Sequence, residues 1–167
     1  TLTKNIINGL QRQSVCGLYG SSKAYFLAGL KNQTARPLFI ISPGQTQAEK
    51  LYSELTAFLK GTTEVLLFPS LEVLPYDEVP AHKDLVGEQM AILDNLSGHR
   101  EDIILVSSLQ ASLFKIVSRS TLNESKHLLE VSTTIKRDVL LEKLMEIGYS
   151  PDDMVETKGT FSHRGGI

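Results

Sequence analysis

Helical spacing and short continuous apolar runs alternate along the first two thirds of the chain. Leu2, Ile6, Ile7 and Leu10 recur at a helical period within residues 2–13 and predict a short amphipathic helix. The apolar run Val15–Tyr19 predicts a buried strand, and Ser22–Leu30 a helix after it. Pro37–Ser42, bounded by Pro43-Gly44, has the pattern of a strand buried on both faces. From Thr46 to Leu59 the positions Ala48, Leu51, Tyr52, Leu55, Phe58 and Leu59 recur at three and four residues, one helical face, and Gly61 ends it. Val65–Phe68 predicts a further strand, Pro69–Ala81 an irregular stretch, and Val86, Met90, Leu93 and Leu96 the stripe of a helix starting near Asp84. Ile103–Val106 supplies the last strand of this part. The alternation predicts an α/β domain over residues 1–108, a parallel sheet with right-handed crossovers and helices on both faces.

After Ser107 the pattern changes. Ser108–Val117 reads as a helix, His127–Val131 as an edge strand, and Arg137–Ile147 as a helix with Val139, Leu140, Leu144 and Ile147 inward and Gly148 as its stop. Met154–Thr157 and Thr160–Arg164 are expected to pair around Lys158-Gly159. Residues 109–167 thus read as a small α+β module, and its ending, Gly165-Gly166-Ile167, as a strand cut at its start.

Composition narrows the function. A net charge of −2 and a pI near 6.1 give no global pull toward nucleic acid, which favours a protein partner. The single Cys16, inside an apolar run, builds neither a disulfide framework nor a cysteine metal site and reads as a buried thiol in a reducing cytoplasm. No apolar stretch suits a membrane span, and monomer is the default state.

The most informative motif is Gly17-Leu18-Tyr19-Gly20-Ser21-Ser22-Lys23-Ala24. A phosphate loop of the form G-x-x-x-x-G-K-[ST] needs a glycine before the lysine for close backbone approach and a final hydroxyl for magnesium. Ser22 and Ala24 stand at those places. The motif therefore reads as a degenerate nucleotide loop, with an ordinary strand-to-helix turn as the plain alternative. Asp77-Glu78 follows Leu74-Pro75-Tyr76, and a proline does not sit in a central parallel strand, so no acidic metal-binding strand end is present. His82, His99, His127 and His163 are scattered without metal spacing, and no serine sits in a nucleophile elbow. No catalytic residue is assigned. Phe161 beside Lys158 and Arg164 is either an interface anchor or the inward residue of an edge hairpin.

Three segments together carry a resemblance: residues 17–24, the block LFPSLEVLPYDEVPAHKDLVGEQMAILDNL (67–96), and GYSPDDMVETKGTFSHRGGI (148–167). They resemble the N-terminal region of the bacterial transcription-repair coupling factors (Mfd), itself similar to the first domains of the repair helicase UvrB. The resemblance implies a degenerate helicase-like α/β domain followed by a module that docks on UvrA. It implies no cofactor in this segment, with ATP and magnesium serving only a motor elsewhere in the parent protein, an ATP-dependent DNA translocase. RNA polymerase and DNA would be met by those other parts. Gly159, Thr160, Phe161, Arg164 and Gly165 match a UvrB-like motif Arg-Gly-Thr-Phe-Arg-x-Arg-Gly, which implies a partner-binding role for Arg164, with Lys158, Phe161 and Gly165 beside it. Ser162 and Pro151 stand where the family carries further arginines, a loss of two cations. A weak nucleotide-binding or ATPase domain using Lys23 is the alternative, and DNA binding along the α/β part a third reading.

Overall fold

A computed structural model describes residues 2–34, 36–71, 82–98, 102–132 and 134–163. The chain divides into two compact units, residues 1–70 with 98–114, and residues 71–97 with 115–167. This division differs from a single cut after residue 108, because the segment 71–97 groups with the later residues.

In the first unit, β1 (Leu38–Ser42), β2 (Glu64–Phe68) and β3 (Ile103–Ser108) form a parallel sheet in the order β1-β3-β2. The register sets Leu38 and Val65 on either side of Ile104, and Ile40 and Leu67 on either side of Val106. Side chains two apart share a sheet face, so these residues form two transverse apolar rows on one side. Helix α3 (Gln45–Phe58) lies over them, and α2 (Ser22–Thr34) packs on α3, with α1 (Leu2–Ile7) beside α2. Ala24, Ala28 and Ala48 belong to the same buried cluster as Leu55, Leu59, Ile104 and Val106, and their small side chains let the two helices approach closely. Helix α5 (Leu109–Leu113) follows β3 directly, its first turn capped by the Ser108 Oγ accepting from the Ala111 N–H at 3.1 Å.

Two expectations for this unit are corrected. Val15–Tyr19 forms no strand. Gly17 has φ +81°, outside the extended range of a strand, and the run is mostly exposed, Cys16 included. Strand β1 is also not buried on both faces: Leu38 and Ile40 face the helices, while Phe39 is 58% and Ile41 49% exposed. A continuous apolar run does not tell one covered face from two.

The second unit holds α4 (Lys83–Ser97), α6 (Arg119–Glu124), α7 (Arg137–Glu146), β4 (Ser150–Pro151) and β5 (Thr160–Phe161). Arg119 Nη2 donates to the Ser97 carbonyl at 2.6 Å, and Lys126 pairs with Asp94, so two cations tie the 119–126 segment to the C-terminal part of α4. The helix expected over Ser108–Val117 stops at Leu113, and a separate helix, α6, begins after Ser118, whose Oγ accepts from the Thr121 N–H. His127–Val131 is not a strand; Leu128 is 81% and Val131 98% exposed, and no strand lies beside the run among the described residues. The final pairing also differs. β5 pairs with β4 in parallel, through Ser150 N–H to Gly159 O and Asp152 N–H to Phe161 O, so Met154–Thr157 lies in the connection rather than in a strand. Among the described residues no helix is long and apolar enough to cross a membrane.

Leu55 is fully buried under the sheet rows. Leu55→Ala is expected to lower unfolding stability by about 3 kcal/mol, measured by urea denaturation followed by circular dichroism.

Candidate partner-binding site

The loop before α2 is closed on itself. Ser22 Oγ donates to the Tyr19 carbonyl at 2.6 Å and the Ser22 N–H reaches the same oxygen at 3.2 Å, so one carbonyl gathers the turn. Gly20, at φ +54°, permits that turn. Ser21 Oγ donates to Glu54 Oε1 of α3 at 2.8 Å, which sets a carboxylate beside the loop. Lys23 is exposed and lines a cavity of about 370 Å³ with Gly17, Leu18, Ser42 and Pro43, at the carboxyl end of β1. Ala24 is fully buried in the helix-sheet core. The position that would carry a metal-binding hydroxyl is thus a packing position, and a neighbouring carboxylate opposes phosphate. These residues do not fit a magnesium-bound triphosphate.

In the second unit the 157–161 segment is a tight turn on α4. Thr160 Oγ1 donates to the Thr157 carbonyl at 2.7 Å, and Gly159 takes φ +78°, a left-handed conformation that side chains resist. The turn presents Lys158 outward, its side chain 56% exposed with Nζ 3.8 Å from Asp84 Oδ1. Asp84 in turn lies beside His82, whose Nδ1 accepts from the Asp84 N–H at 3.4 Å. Phe161 points the other way. It is 9% exposed, which decides between the two sequence readings in favour of the inward one. Its neighbour Ser162 donates to the Asp153 carbonyl at 3.0 Å, tying the strand to the connection, and the Phe161 and His163 rings lie 6.5 Å apart.

A cavity of about 700 Å³ opens beside this turn, between Val86, Gly87 and Met90 of α4 and Ile147, Tyr149 and Val155 of the later segment. Its lining is largely apolar, with Lys83, Glu156 and Lys158 as its charged residues. Arg164 and Gly165, the other two residues singled out in the sequence, lie outside the described residues, as does Asp77-Glu78. The sequence reading missed Asp84 and Gly87, which meet Lys158 only through the fold.

Because Phe161 is buried, Phe161→Ala is expected to act on stability first. A loss of about 3 kcal/mol in urea unfolding is the expected outcome, and unchanged stability would return Phe161 to the surface.

Residues 128–167 match the family model of the UvrB interaction domain. Nearly the whole chain is similar to a transcription-repair-coupling factor of Bacillus subtilis (strain 168), 33% identical over 168 residues, covering 98% of this chain and 14% of that protein. The corresponding protein of Myxococcus xanthus is 32% identical over 162 residues, covering 94% of this chain and 14% of its own length. The UvrABC system protein B of Fusobacterium nucleatum is 27% identical over 178 residues, spanning 100% of this chain and 27% of that protein. The chain therefore spans a minor part of each of these relatives. Over nearly its whole length the chain is thus similar to one part of the transcription-repair-coupling factors, and its residues 128–167 match the UvrB interaction domain.

Proposed function

We propose that this region is a non-catalytic recruiting module that binds UvrA and brings it to stalled RNA polymerase in nucleotide excision repair. The match of residues 128–167 to the UvrB interaction domain carries this reading. The docking surface is the turn carrying Lys158, together with Arg164 and Gly165, and Phe161 supports it from inside. ATP, magnesium, DNA and polymerase belong to other parts of the parent protein, and the region acts in the cytoplasm as a monomer. In this reading residues 17–24 are a degenerate phosphate loop retained as a structural turn.

A nucleotide-binding role is the second reading, favoured by the cavity where Lys23 faces the carboxyl end of β1, the usual ligand side of an open α/β sheet. Buried Ala24 and the Ser21–Glu54 contact weigh against it.

Calorimetric titration of the chain with purified UvrA is expected to show binding, and a parallel titration with magnesium-ATP none. Arg164→Ala is expected to weaken UvrA by about thirtyfold, near 2 kcal/mol, the low end for truncating a bonded interfacial charge. Undiminished UvrA affinity in that variant would remove Arg164 from the site. Restoring a hydroxyl by Ala24→Thr is expected to cost about 1–3 kcal/mol in urea unfolding, by overpacking and by burying a polar group, without creating nucleotide binding. ATP binding by that variant would instead favour the second reading.

A further inference from the structure

Gly87 lies within α4, where glycine costs a helix about 1 kcal/mol relative to alanine. Its backbone shows no left-handed φ that would demand glycine. Space explains it. A Cβ built at Gly87 would lie 3.0 Å from Cδ of Lys158 and 3.9 Å from its Cε and Nζ. The stem of Lys158 therefore lies across the one place on α4 that has no side chain. Asp84, three residues earlier on the same helical face, sits 3.8 Å from the Lys158 ammonium. At that distance the carboxylate steers the charge without a hydrogen bond, so among the described residues the N–H donors are open to a second acceptor. The contact is reciprocal, because a Cβ at Gly159 would meet Cδ of Lys83 at 3.8 Å. Each of two lysine stems thus lies against a glycine on the opposing segment.

We propose that Gly87 is a positioning residue for partner binding: it holds the Lys158 stem against α4 and aims the ammonium at an acidic patch on the partner protein. The inference rests on the reading that Lys158 belongs to the UvrA-docking surface. Gly87 itself lies outside the 128–167 match, so the docking surface extends to a helix the family model does not cover. A long flexible lysine is a poor contact when its rotamers are free, and fixing the stem lowers the ordering cost of binding.

The test is a double-substitution cycle in the complete chain, with Gly87→Ala, Lys158→Ala and both together, titrated with purified UvrA at low and moderate salt, with melting temperatures measured alongside. Gly87→Ala is expected to raise the melting temperature, through better helix propensity, while weakening UvrA about three- to fivefold and flattening the salt dependence as Lys158→Ala does. The double variant is expected to bind no worse than Lys158→Ala alone. Additive penalties, a lowered melting temperature, or wild-type affinity in Gly87→Ala would overturn the positioning role while leaving UvrA recruitment standing. Absence of UvrA binding by the unsubstituted chain would overturn both.

Discussion

The first unit depends on the pairing of β3 with strands on both of its sides. Ile104 and Val106 are fully buried, and each is flanked in register by apolar residues of β1 and β2. A slip of one residue would break up the rows Leu38-Ile104-Val65 and Ile40-Val106-Leu67 on which α3 packs. The placement of α3, then of α2 through the alanines, and then of the loop before α2, follows from that register. Ala24 is buried because it lies at the end of this chain of contacts. Ala24 thus serves the packing of the helix-sheet core.

The second unit is organised by different means. Its strands have two residues each and α6 only six, so hydrogen bonds and charges position segments around the longer α4 and α7. The Ser118 cap, the Arg119 contact with the end of α4, and the Ser162–Asp153 bond fix the segments locally. Within that framework Lys158 faces solvent and Phe161 faces inward, two neighbours with opposite roles separated by a glycine and a threonine.

The sequence made α2, α3, α4, α7 and all three strands of the parallel sheet legible, because continuous apolar runs and three-to-four spacing over ten or more residues are strong signals. It misled at Val15–Tyr19 and His127–Val131, where no strand among the described residues lies beside the apolar run to complete a ladder. The β4-β5 pair was not legible, since two-residue strands carry no periodicity and their partnership is decided by the path of the chain. Of the site, Lys158 could be singled out from its motif, and the orientation of Phe161 stayed open until its burial was seen. Glu54, Asp84 and Gly87 carried no signal, as each acquires its role from a residue distant in sequence.

The parallel sense of the β4-β5 pair has a consequence for how such regions vary in length. An antiparallel hairpin is closed by as few as two residues, but a parallel pair obliges the chain to travel back along the ladder before it re-enters. The stretch from Asp152 to Gly159 is that return path. Insertions there lengthen a surface loop at small entropic cost, whereas deletions soon leave too little chain to close the circuit. The stretch therefore has more room to lengthen than to shorten while the β4-β5 pair is kept.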